Sequence, residues 1–375
     1  MLSTISLSRR QLRVTLPVVL LLFLTVYFWA WNISPNAATD SEVVHFQTIS
    51  NPPVTDSEVV HLQAISISPL NNTTAIDWSQ FAYSQYVTTQ NRLCHSVMIF
   101  EALHRLASKP DRVLMYPESW KEDDILLKHA RDAYSVKLIP VPVLISRTPD
   151  RLWATSFTKL VAFNLTQYSR VLNLDSDGTL LQASAHWEEG IWLMSLQHMD
   201  ELFLIPDALI AMPSAYWLNP KDGILSSQLL LIQPSRLEFQ RLLKLVQKGF
   251  LNEKTPVGGD MDLLNRLYKD TVVVLPHRPY TLLSGEYHNE DHSAYLGSKE
   301  DKWDPDKILA ETKFVHFSDW PYSKPWIRPT GTVTFPKCER QKCRDQEIWE
   351  WFFQDFRQRM KVWSLSIGVS YTDLC

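Results

Sequence analysis

An α/β domain, with a mostly parallel central sheet flanked by helices and an N-terminal transmembrane helix ahead of it, is the fold class this sequence predicts. Three observations carry that expectation. Strand-like and helix-like patterns alternate with short connections from Phe81 to Tyr168, the order of βαβ units. The apolar run Arg170-Val171-Leu172-Asn173-Leu174 ends in Asp175-Ser176-Asp177, two carboxylates one residue apart. Near the start, Val14 to Trp31 carries no charge and follows Arg9, Arg10 and Arg13.

Those eighteen residues from Val14 to Trp31 cover about 27 Å at about 1.5 Å per residue, near the thickness of a thin bilayer. Residues 1–13 then read as a basic cytoplasmic tail and 14–31 as a signal anchor closed by Tyr27, Phe28, Trp29 and Trp31 at the interface, with the remainder lumenal. A cleaved signal peptide competes, although the run is longer than a usual apolar core and no small-x-small cleavage site directly follows it. Residues 32–75 are polar and Pro-containing, and Thr39 to His45 recurs unchanged as Thr55 to His61. Two copies cannot stack into a solenoid, so the segment reads as a flexible stem. Asn32, Asn71, Asn72 and Asn164 each precede Ser or Thr by two positions and are candidate glycosylation acceptors; Asn71 and Asn72 lie in the stem, Asn164 in an expected helix.

The lumenal domain is expected over 76–330. Phe81 to Val87 forms a first strand; Leu93, Val97, Met98, Phe100, Leu103 and Leu106 share one face of a following helix. Arg112 to Tyr116 and Val136 to Val141 are strands separated by a helix over Asp123 to Ala133, and Trp153 to Tyr168 reads as a helix leading into the Asp-x-Asp strand. Residues 331–375 form a C-terminal helical extension. Its Trp349, Trp351, Phe352, Phe353 and Phe356 are expected to pack on the domain, with membrane or partner contact the competing use.

A net charge of -4 over 375 residues, with 45% apolar residues, shows no basic excess and excludes nucleic acid as a natural partner. In an oxidising lumen Cys338 and Cys343 could close a short loop, whereas Cys94, on an apolar helical pattern, reads as a buried thiol. The cysteine spacing does not make a zinc site.

A buried strand that emits Asp-x-Asp at its carboxyl end suits a hard divalent cation held against a nucleotide diphosphate, although Asp-Ser-Asp-Gly is also an ordinary turn. Downstream, the apolar strand Phe314-Val315 delivers His316, and Lys324 follows eight residues later in Lys324-Pro325-Trp326. An imidazole on the same cation and an ammonium on phosphates would complete that chemistry.

With Tyr86-Val87-Thr88, Lys159 in Ser156-Phe157-Thr158-Lys159-Leu160, Asp175 and Asp177, and His316 through Trp326 in this order, the chain resembles the glycogenin-related family 8 glycosyltransferases. Within them it is most similar to the fungal Golgi glucose N-acetyltransferases, also described as N-acetylglucosaminyltransferases, over roughly Ala82 to Ile327. The resemblance implies a GT-A fold, Mn²⁺ or another divalent cation, a UDP-sugar donor and retention of anomeric configuration. It implies Asp175, Asp177 and His316 as metal ligands, Lys324 on the diphosphate, Tyr86 and Thr88 around uridine, Lys159 near the donor and Asp260 near the transferred sugar. It implies a type II Golgi membrane enzyme that moves N-acetylglucosamine from UDP-GlcNAc to a mannose-containing glycan. A glucosyl- or galactosyltransferase, or an inactive nucleotide-sugar or glycan-binding protein, are the alternatives. Trp217, Trp320 and Trp326 are candidates to stack on sugars.

Three departures mark this chain. Ser226-Ser227-Gln228 stands where the family has an Asn-Ala-Gly-like segment, and Asp260-Met261 replaces Asp-Gln. Asp260 could also simply cap the helix it opens. The fifteen residues Ala183 to Gln197 interrupt the family pattern, as a translated intron or as a real loop beside the site.

Overall fold

Alternation of side chains across a pleat sets the core of this protein, because both faces of its main sheet are covered. Along the first strand, β1 (Phe81–Tyr86), Tyr83 enters one buried cluster while Ala82 and Tyr86 enter the other. The strand that ends at the aspartate pair, β4 (Arg170–Leu174), divides likewise, with Leu172 and Leu174 on the first face and Val171 on the second. The computed structural model describes residues 76–145, 154–181, 186–188, 191–193, 199–248, 259–319, 322–327 and 342–369. The tail, signal anchor and stem, the acceptors Asn32, Asn71 and Asn72, and Trp320 lie outside them.

The βα alternation is as expected. After β1 comes α1 (Gln90–Arg105), whose first turn is capped by Thr89 accepting from the Arg92 amide. Then follow β2 (Asp111–Pro117), α2 (Ile125–Tyr134) capped by Asp124, and β3 (Val136–Val141). The expected helix over Trp153 to Tyr168 is instead a 3₁₀ segment, Ser156–Asn164. Its residues from Ser156 to Phe163 are all buried, and half of them, Phe157, Thr158, Val161 and Phe163, are β-branched or aromatic, so packing on every side overrides a weak helical preference. Asn164 ends that segment and is exposed.

Beyond β4 lie β5 (Gly178–Leu180), β6 (His186–Glu188), β7 (Ile191–Leu193), β8 (Ile210–Pro213), β9 (Leu229–Ile232), α3 (Arg236–Lys248) and α4 (Asp260–Tyr268). Then come β10 (Val273–Leu275), β11 (Leu282–Leu283), α5 (Pro305–Glu311), β12 (Phe314–His316) and the C-terminal α6 (Lys342–Ser366). The seven-stranded sheet runs β10-β8-β9-β4-β1-β2-β3. Its pairs are parallel except those of β9, which is antiparallel to both β4 and β8. That reversal brings the start of β9 to the end of β4, where the Gln228 carbonyl accepts from the Asp175 amide at 2.8 Å. A second sheet, β11-β12-β5, pairs His316 with Gly178. A side chain at Gly178 would put its Cβ 2.5 Å from the Phe314 ring, so this crossing needs glycine. Within Ala183 to Gln197, β6 and β7 pair as an antiparallel hairpin.

The C-terminal helix packs on the domain through buried Ile348, Trp349, Phe352, Phe353, Phe356, Met360 and Trp363, a stripe at helical spacing. The thiol expected at Cys94 is corrected: Cys94 and Cys343 are both disulfide-bonded. Cys338, the expected partner of Cys343, lies outside the described residues.

Candidate active site

The sheet delivers its polar residues where its parallel strands end. Asp175 follows β4 directly, and Asp177 precedes β5. The β5–β12 crossing carries His316 beside Asp177, locked by the Phe317 amide donating to the Asp177 carbonyl at 2.9 Å. Ligand atoms of Asp175, Asp177 and His316 all lie within 4.8 Å of one another. The imidazole Nε2 is 2.9 Å from Asp177 Oδ1, and its Nδ1 is buried without a partner. Lys324 Nζ donates to Asp177 Oδ2 at 2.5 Å.

A second assembly lies deeper. Lys159, 1% exposed, places its Nζ 2.7 Å from Asp175 Oδ1 and 2.8 Å from Asp260 Oδ2. It also donates to the Ser227 carbonyl at 2.8 Å. Asp260 does not cap its helix: Gly259 occupies the cap, the Asp260 amide donates to Ser156 Oγ at 3.1 Å, and its carboxylate faces Lys159. The Tyr86 ring centre lies 6.0 Å from Lys159 Nζ. Thr88, half-buried just past β1, reaches Thr155 Oγ1 at 3.4 Å.

The charges are mutually adjusted. Burial opposes ionisation of Asp177, but His316 and then Lys324 outweigh it and hold the carboxyl well below the usual range. For Asp175 burial prevails over the attraction of Lys159, and the carboxyl is raised. Burial also works against Lys159, yet Asp175 and Asp260 raise its affinity for a proton, so it stays an ammonium.

The structure brings Asp175, Asp177, His316, Lys324, Lys159, Asp260 and Tyr86 together and leaves Thr88 beside Thr155 at their margin; Trp217 packs on Tyr216, and Trp320 lies outside the described residues. Sequence reading missed the backing groups: the carbonyl of Ser227, the hydroxyl of Ser156, and Gln85, whose amide donates to the Leu174 carbonyl at 2.8 Å. It also missed His95 on α1, 5% exposed, whose ring centre lies 4.0 Å from that of Trp326. Only the Ser226-Ser227-Gln228 departure hinted at any of these.

A glucose N-acetyltransferase 1 of Gibberella zeae is 48% identical over 309 residues, covering 78% of this chain and 64% of that protein. One of Aspergillus fumigatus is 41% identical over 314 residues, covering 76% of this chain and 78% of that protein. The chain belongs to the glucose N-acetyltransferase 1 family. The family extends to a Saccharomyces cerevisiae member at 24% identity over 411 residues, with 78% of this chain and 83% of that one aligned. The chain spans just under two thirds, 64%, of the Gibberella family member. No protein-family profile matches. Among solved structures, the bifunctional glycosyltransferase WbbM has a TM-score of 0.44 at 17% identity, covering 68% of this chain and 48% of that one. The Q189E mutant of LgtC also scores 0.44, at 14% identity, covering 72% and 94%. Both likenesses are loose.

Proposed function

We propose that the protein is a metal-dependent, retaining glycosyltransferase that moves N-acetylglucosamine from UDP-GlcNAc to a mannose-containing glycan. We place it in the Golgi membrane as a type II protein with a lumenal catalytic domain. The observation that carries the reading is the meeting of Asp175, Asp177 and His316 within 4.8 Å at the carboxyl edge of the sheet, in a chain of this family. Two carboxylates and an imidazole whose Nε2 meets Asp177 are a suitable donor set for Mn²⁺ or a similar cation. Such a cation, when bound, neutralises charge on the departing UDP.

The side chains of this chain supply the rest. Lys324, 32% exposed, is able to exchange Asp177 for a phosphate oxygen of the donor. Lys159 is already saturated by Asp175, Asp260 and the Ser227 carbonyl, so it holds two carboxylates in register. Asp260 then presents a fixed negative charge beside the sugar site, and Tyr86 and Thr88 bound the side where the uridine would lie. Fixed charges of this kind stabilise a developing oxocarbenium and diphosphate without rearranging during the reaction. No protein nucleophile is required.

The test is UDP release by the full-length chain in detergent with Mn²⁺, a panel of UDP-sugars, and mannose oligosaccharides present or absent. Acceptor-dependent turnover of UDP-GlcNAc, abolished by Asp175→Asn, is expected. Preference for UDP-glucose or UDP-galactose replaces the donor, and donor binding without turnover in any arm overturns the enzyme. Sequencing the mature transcript decides whether Ala183 to Gln197 belongs to the protein.

A further inference from the structure

The loop that carries Lys324 is held from outside the catalytic sheet. Trp349 of α6, 4% exposed, donates from its indole Nε1 to Asp319 Oδ1 at 2.7 Å. The other oxygen of Asp319, also buried, accepts from Ser284 Oγ at 2.6 Å. Two turns further along α6, Arg357 donates from Nε to the Pro325 carbonyl at 2.6 Å, directly after Lys324. Trp326 is wedged between His95 of α1 and Phe356 of α6, its ring centres 4.0 and 5.7 Å from theirs. Arg359 reaches the other half of the site: its guanidinium donates to Thr179 Oγ1 at 2.7 Å, two residues past Asp177, and pairs with Glu101 at 2.8 Å. One helix thus touches both chain segments that meet at Asp177.

We propose that α6 is a positioning element of the donor site, in which Trp349 holds Asp319 and Arg357 holds Pro325 so that Lys324 stands over Asp177. Arg357 is the sharpest instance, because a carbonyl one residue from Lys324 fixes the backbone from which the ammonium reaches. Neither residue touches substrate. The proposal rests on the reading of this site as a nucleotide-diphosphate site.

The experiment measures UDP binding to the full-length chain in Mn²⁺ by calorimetry, with thermal unfolding of the same samples. Arg357→Ala is expected to weaken UDP binding about tenfold, the equivalent of one hydrogen bond with a charged donor, while the melting temperature changes little. Arg357→Lys, which keeps one donor, recovers most of the affinity. In a Lys324→Ala background Arg357→Ala adds less than about twofold, since both act through one contact. Trp349→Phe, which keeps the ring and loses the N–H, gives the same pattern should Arg357→Ala fail to fold. Additive losses, or an unchanged affinity in the Arg357 and Trp349 variants beside a weakened Lys324→Ala, overturn the positioning role alone. UDP binding equal in wild type and Lys324→Ala overturns that role together with the reading of the site.

Discussion

Two lysines serve the candidate site, and they are built oppositely. Lys159 is sealed at 1% exposure between two carboxylates and a carbonyl, whereas Lys324 is 32% exposed and holds one carboxylate that also faces His316. An ammonium out of water is stable only while its counter-charges stay in place, so the inner assembly behaves as structure. The outer one sits against water, where a carboxylate can be traded for phosphate at small cost. Rigidity beneath and exchange above is what a site needs if it must bind and release a charged nucleotide repeatedly.

The largest expected effect comes from breaking the inner assembly. Lys159→Met takes the ammonium from buried Asp260 and half-buried Asp175, and is expected to cost about 3–5 kcal/mol of stability in urea unfolding. A loss below about 1 kcal/mol would mean the pair is solvated and the contrast false. Asp177→Asn, in the outer assembly, is expected to lower transfer about 10²–10³-fold while the melting temperature changes by only a few degrees. A folding defect comparable to that of Lys159→Met would instead make both assemblies structural.

His95 sharpens the boundary between them, since it backs Trp326 behind the outer lysine. Burial lowers its imidazole from an ordinary 6.5 to about 4. Between those values the unfolded chain takes up a proton that the folded chain refuses, so stability is full above about pH 6.5 and falls as pH drops toward about 4. Measured against His95→Gln, that loss is expected to be roughly 2–3 kcal/mol. A difference that does not change with pH would show the ring is hydrated. The smallest effect is expected at Thr88→Ala, on the margin: under about 0.5 kcal/mol of stability, and a two- to threefold rise in KM for the donor by order of magnitude.

Asp175 and Asp177 were legible because they follow an apolar strand, and parallel strands of such a sheet end at one edge; His316 and Lys324 were legible because an apolar strand, here in the second sheet, delivers the first and a Pro/aromatic loop the other. Lys159 was visible only through resemblance; nothing in Phe157-Thr158-Lys159-Leu160 announces a buried ammonium. The 3₁₀ form of Ser156–Asn164 was misread as an α-helix, because a segment buried on all sides has no polar face to give a period. The disulfide at Cys94 was read as a thiol, since an apolar helical position shows nothing of what approaches it.

By itself, then, the sequence determined what depends on neighbours in the chain: the periods that make strands and helices, and two carboxylates one residue apart. Only the tertiary structure decided that β9 runs backwards beside β4, that Lys159 bridges Asp175 to Asp260, and that α6 grips the loop of Lys324. Those contacts join residues far apart in the chain. Their energy comes from removing charges and rings from water together, a property of the packed whole that no local pattern encodes.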